Sequence, residues 1–70
     1  MRDEDNPEND ELVAQLFALL TGKFEDAAAI AAGCQAREQE QAVVHKACNE
    51  LACLTEEATT LVAVARRLKN

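Results

Sequence analysis

The clearest hydrophobic pattern in the chain runs from Val43 to Leu68. Apolar residues recur there at alternating steps of three and four, which is the period of an α-helix with one buried seam. The pattern predicts a long helix over about residues 38–68, and the rest of the chain must cover its seam. The predicted seam residues are Val44, Ala47, Leu51, Leu54, Ala58, Leu61, Ala65 and Leu68.

Two shorter helices are predicted before this long one. Asn6 is a favoured N-cap residue and Pro7 suits the first helical position, so the first helix is expected over about residues 7–20. Gly22 predicts its end, because glycine readily adopts the left-handed conformation that closes many helices. A second helix is expected over about residues 23–35, and the short connection makes the two a helical hairpin. The wide apolar face of the first helix comprises Leu12, Val13, Leu16, Phe17 and Leu20.

The polar segment before the long helix interrupts the seam. Carrying the heptad of the long helix backwards would place Arg37 and Glu40 in the core, where unpaired charges are costly. The sequence therefore favours a turn near residues 33–38, with Gly33 as the closing residue. The alternative is one long exposed helix that pairs only with another chain, because the segment consists of good helix formers.

The expected fold is thus all-α, with three helices and a thin core. A chain of 70 residues buries only about 60% of the surface that its unfolded form exposes. The long third helix is also apolar around much of its girth, which is typical of a helix that packs on two sides. These features predict self-association into an oligomeric helical bundle, most simply a homodimer formed through the third helix. The predicted interface residues are Leu51, Leu54, Leu61, Val62, Val64 and Leu68.

The charge of the chain is concentrated near its N-terminus. Residues 1–11 carry six acids and one base, a net charge of −5, and residues 12–70 carry a net charge of −1, which together give −6. We expect residues 1–5 to form an acidic disordered arm and residues 6–70 to form one helical domain. A neutral body without Trp or Tyr argues against binding to nucleic acid.

Targeting signals are not apparent in the sequence. The N-terminal segment is acidic and lacks an apolar core, and no run approaches eighteen apolar residues. We therefore expect neither a signal peptide nor a membrane span, and we expect a cytoplasmic protein. The three cysteines are odd in number and lie within helical patterns, which fits a reduced chain better than a disulfide framework.

No catalytic or cofactor-binding motif is found in the sequence. The chain has no Ser, and its two glycines cannot form a phosphate-binding loop. Adjacent carboxylates such as Glu56 and Glu57 do not face one another on a helix. An enzyme and a bound cofactor are therefore not expected.

Cysteine and histidine residues provide the one set that resembles metal ligands: Cys34, His45, Cys48 and Cys53. Cys48 and Cys53 are separated by about 140° around a helix, which does not suit zinc, so no metal site is expected. The favoured function is a non-enzymatic interaction module, an adaptor, chaperone or regulatory subunit that offers an apolar face to a helix of another protein. The alternative is a thiol- or metal-dependent regulator that uses Cys48 and His45, which share one helix face.

Overall fold

A computed structural model describes residues 7–69, and within them the chain forms two helices. Helix α1 spans Pro7–Gly33 and helix α2 spans Gln41–Leu68. Near the start of α1, the side chain of Asn9 donates a hydrogen bond of 3.2 Å to the carbonyl oxygen of Leu68, at the end of α2. The two helices therefore pack as an antiparallel hairpin.

The prediction of three helices is wrong, because the first two predicted helices are one continuous helix, α1. Gly22 lies inside α1, and no residue among 7–69 has a positive φ angle. A glycine in a helix interior costs about 1 kcal/mol relative to alanine. Ala27 and Ile30, which follow the glycine in α1, are partly buried. The free energy of their packing would be lost if the helix ended at Gly22, and this loss outweighs the cost of the glycine. The all-α class is confirmed.

The turn lies where the sequence favours it, and one continuous long helix is excluded. Helix α1 ends at Gly33, and the N–H of Cys34 donates a 3.1 Å hydrogen bond to the carbonyl oxygen of Ala31. Helix α2 begins at Gln41, a few residues later than expected. Glu40 precedes it in an extended conformation, with φ −65° and ψ 145°.

The single seam predicted for the long helix is confirmed in α2. All eight predicted seam residues are buried or half-buried, and every other residue of α2 is exposed. Such a clean division arises when only one narrow stripe of a helix contacts a neighbour. The hairpin therefore covers the seam of α2 and leaves the remainder of its girth uncovered.

Helix α1 has a seam with the same spacing, and this seam differs from the wide face predicted for it. Leu12 and Phe17, which belong to the predicted face, are 46% and 56% exposed. The seam instead continues through Lys23 to the end of the helix. Its buried and half-buried members are Asn9, Val13, Leu16, Leu20, Lys23, Ala27 and Ile30, followed by Cys34 in the turn.

Small residues of α2 lie opposite larger residues of α1 along the two seams. Val13 and Ala65 line one groove between the helices, and Ile30 and Ala47 line another. Alanine at these positions lets the helices approach closely. The resulting core is thin, because the buried apolar residues of the described chain are Leu20, Ala47, Ala58 and Ala65.

Candidate interaction surface

The hairpin presents two broad faces, because each helix leaves both flanks of its seam uncovered. On one face, Phe24 lines a groove with Thr55, Thr59 and Val62, and Ala58 forms part of its floor. The neighbouring groove is lined by Phe17 and shares Val62. We call this surface the Phe face. It is defined by Phe17, Phe24, Thr55, Thr59 and Val62.

The apolar side chains of the Phe face are unusually accessible. Phe17 and Phe24 are the two phenylalanines of the chain, and each is 56% exposed; Val62 is 39% exposed. The phenylalanines lie one heptad apart, so both project from the same side of α1. Together they form an apolar ridge beside the seam.

The threonines make the Phe face more apolar than their residue type indicates. Thr55 donates its hydroxyl to the carbonyl oxygen of Ala52 at 2.9 Å, and Thr59 donates to the carbonyl oxygen of Thr55 at 2.9 Å. Each hydroxyl is therefore bonded within α2. A partner that covers this surface does not have to supply hydrogen bonds to these two donors.

At the open end of the hairpin, charged groups border the grooves of the Phe face. There, Lys69 donates from Nζ to Oδ1 of Asp10 at 2.5 Å, and Arg66 lines the groove beside Phe17. None of the five residues that define the face is charged. Its middle can therefore be covered without removing a charge from water.

The opposite face of the hairpin, which we call the charged face, is crossed by ionic groups. A groove on this face is lined by Asp26 and Glu50 together with Cys53. Lys23 donates from Nζ to Oε1 of Glu57 at 2.7 Å across this side of the seam. Exposed apolar residues also occur on this face. Leu19 lies one heptad before Asp26, and Val64 lies one heptad after Glu57, so each shares a side of its helix with a charged residue. The exposed apolar residues of this face are Leu12, Leu19, Val43 and Val64.

The pKa of Lys23 is raised above its ordinary value. The main cause is the hydrogen bond that its ammonium group donates to Glu57. Partial removal of Lys23 from water acts in the opposite direction, and the negative charges of Glu57 and Asp26 add to the increase. The charged form of Lys23 is thus held by its carboxylate neighbours at the edge of the seam.

The six predicted interface residues do not form one surface patch. Leu51, Leu54, Leu61 and Leu68 lie half-buried in the seam, where they face α1. The other two, Val62 and Val64, are exposed on the Phe face and the charged face respectively. The apolar pattern predicted Phe17 on the core face of the first helix and Phe24 on the apolar face of the second, so neither was predicted to be exposed. The two phenylalanines are seven residues apart and fall out of phase with the seam residues Val13 and Leu16. This offset is the sequence signal that distinguishes them from the seam.

The cysteines and the histidine remain separate groups in the structure. Cys34 is half-buried, and Cys48 and Cys53 are exposed; all three are free thiols. His45 is exposed near the start of α2. Among residues 7–69 there is no cluster of three or more His, Cys, Asp or Glu side chains that could hold a metal ion.

Neither helix in the described part of the chain combines the length and apolar character needed to cross a membrane. The chain matches no family model, no curated protein and no solved structure.

Proposed function

We propose that this protein is a small, non-enzymatic interaction module that binds a helical surface of a protein partner through its Phe face. The observation that carries the proposal is the exposure of both phenylalanines on a surface with no charged residue at its centre. Contiguous exposed apolar area of this kind marks interaction sites on proteins. The adaptor, chaperone and regulatory-subunit roles all use such a face.

Burial of the phenylalanines supplies the driving force for binding. Full burial of a phenylalanine side chain is worth roughly 1.5–3 kcal/mol, so covering the exposed half of each contributes about 1 kcal/mol or more. Aromatic residues at the centre of a desolvated patch also dominate the binding energy of many interfaces. Phe17 and Phe24 are therefore the anchors of the proposed interface.

The shape of the Phe face favours a helix as the partner. Its two grooves run between α1 and α2 and share Val62, so they form a continuous trough along the hairpin. An amphipathic helix places apolar side chains every three or four residues into such a trough. Ala58 and Ala65, at the floor of the grooves, leave room for them.

A role without catalysis is supported by the residues that line the trough. Its walls consist of Phe, Val, Ala and Thr side chains, with Arg66 and Lys69 at one end. The hydroxyls of Thr55 and Thr59 are bonded within α2, and no His, Asp, Glu or Cys of the described residues lines either groove to serve as a general base or a thiol nucleophile. We also propose a cytoplasmic location, because the three thiols are free and a reducing compartment keeps thiols in that state.

Photo-crosslinking in the native cell tests the proposed function. A photoreactive phenylalanine analogue replaces Phe24 in one variant and replaces Glu56, an exposed residue of α2 away from both seams, in a control variant. We expect covalent protein adducts from position 24 and few or none from position 56. An absence of adducts at position 24, or equal yields at both positions, would contradict the proposal.

A further inference from the structure

We infer that a second copy of this chain covers the Phe face, so that two hairpins form an antiparallel four-helix bundle. The inference rests on the proposed function, because it names the partner of the same face. In this bundle α1 packs against α1 of the second copy, and α2 packs against α2.

The small core of the hairpin is the first argument for a second copy. Four residues are buried, three of them alanines, and no side chain of the described chain is less than 2% exposed. A fold that needs more burial than one chain offers is completed most simply by an identical chain.

The area of the side of the hairpin that carries the Phe face is the second argument. Helices of 27 and 28 residues are each about 40 Å long, and two of them side by side are about 20 Å wide. The face therefore has a footprint of roughly 800 Å², which matches the area that a standard interface buries on each partner. One face of the hairpin is large enough for a stable dimer.

The position of the phenylalanines is the third argument, because it makes the face complementary to itself. The middle of α1 is Leu20, and Phe17 and Phe24 lie three residues before it and four residues after it. A two-fold axis at the level of Leu20 places Phe17 close to the level of Phe24 of the second copy, and the reverse. This two-fold axis therefore lets the two α1 helices overlap along their full length. It also lets the four phenyl rings interdigitate.

The charge distribution favours the antiparallel arrangement. Helix α1 begins and α2 ends at the open end of the hairpin. Residues 1–11 carry a net charge of −5 and residues 66–69 carry three bases, which together give −2. Parallel hairpins would bring two such segments to one end of the bundle, where they would repel each other. Antiparallel hairpins place them at opposite ends.

The antiparallel arrangement also accounts for the apolar girth of α1. The two-fold axis of this arrangement brings the α1 helices of the two copies together. Each α1 then contacts α2 of its own chain and α1 of the other copy. The segment 12–22 has eleven consecutive residues without a charged side chain. A helix that is apolar on several sides typically packs on more than one neighbour, and this arrangement covers α1 along its seam and on the Phe face.

Sedimentation equilibrium of the full chain tests the existence of the dimer. We expect a mass of twice 7.6 kDa at micromolar concentration. The double variant Phe17→Gln and Phe24→Gln should weaken the dimer at least about 30-fold. The matched control, Leu12→Gln and Leu19→Gln, changes two equally exposed residues outside the Phe face and should weaken it less than about threefold. A wild-type monomer, or an equal effect of the two double variants, would overturn the inference.

Cysteine cross-linking tests the arrangement without disturbing the phenylalanines. All three native cysteines are replaced by alanine, and Thr21→Cys is introduced on α1 between Phe17 and Phe24, next to the proposed axis. Two cysteines at this position approach each other in the antiparallel bundle and should form an intermolecular disulfide on mild oxidation. Ala14→Cys lies two turns from the axis and serves as the control for random collision. Equal yields of disulfide at positions 14 and 21 would overturn the arrangement.

The two proposals fail in different ways. A wild-type monomer that nevertheless yields an adduct with a different protein at position 24 would overturn the second copy and leave the interaction module standing. A monomer that yields no adduct at position 24 would overturn both. Self-adducts at position 24 support both.

Discussion

Lys23 donates a hydrogen bond of 2.7 Å from its Nζ to Oε1 of Glu57, and this ion pair links the middle of α1 to α2. Lys23 occupies a seam position between Leu20 and Ala27, where neighbouring seam residues are apolar. Its aliphatic stem lies along the seam while its ammonium group reaches the carboxylate. A polar residue at a single seam position fixes the register of paired helices at some cost in stability.

The Lys23 and Glu57 pair predicts a dependence of stability on alkaline pH. The pKa of Lys23 is raised above 10.5 in the folded state, so its contribution is fully present below pH 10.5 and is lost as the pH rises through the raised value. Thermal melts of the wild type and of Glu57→Gln, recorded from pH 9 upward, should converge at high pH. A stability difference that stays constant through this range would show that the pair does not contribute in this way.

Replacement of Gly22 by alanine should stabilise the hairpin. Gly22 lies within α1 without a positive φ angle, and a β-carbon built at this position meets no atom within 4 Å. The expected gain is about 1 kcal/mol, which corresponds to an increase of roughly 4–8 °C in melting temperature for a domain of this size. A loss of stability would indicate that Gly22 closes a helix.

Gly33→Ala provides the matched control for this prediction. Gly33 is the last residue of α1, is exposed and also has open space around it. Because helix propensities act most strongly in helix interiors, the gain at position 33 should be smaller than the gain at position 22.

The free cysteines should contribute little to the fold. Reduction, and separately treatment with a chelator, should leave the helical circular dichroism signal unchanged. A thiol reagent should label Cys48 and Cys53 before Cys34, because Cys34 is partly covered. A marked loss of helix after chelation would support the alternative of a metal-dependent regulator through Cys48 and His45.

The predicted acidic arm, residues 1–5, lies outside the described residues and remains a prediction. Because these residues contain no apolar side chain after Met1, their deletion should change the melting temperature by no more than about two degrees. Differential scanning calorimetry of the truncated chain measures this. A loss of many degrees would mean that the arm packs on the helices.

The sequence was sufficient to predict α2 because its eight seam residues are all apolar and recur at alternating steps of three and four along the helix. Val44 and Leu68, at its two ends, both fall on the predicted stripe. Local hydrophobic period is informative in such a helix. The turn near Gly33 was predicted for the same reason, since charged residues would otherwise enter the seam.

The seam of α1 was harder to predict because two of its members, Asn9 and Lys23, are polar. Both are accommodated by bonds to α2, from Asn9 to the carbonyl oxygen of Leu68 and from Lys23 to Glu57. Such partners are distant in sequence and leave no trace in a local pattern. Gly22 added to the error, because its local preference for a helix end was overridden by packing on both sides of it.

Fluorine NMR of the wild-type sequence measures whether a second copy of the chain covers the Phe face. The chain has two phenylalanines and no Trp or Tyr, so incorporation of fluorophenylalanine places one resonance at each anchor. At high micromolar concentration both resonances should resist broadening by a soluble nitroxide, and dilution below the dimer dissociation constant should remove that protection. Full broadening of both resonances at every concentration, in a chain that remains helical, would contradict the account.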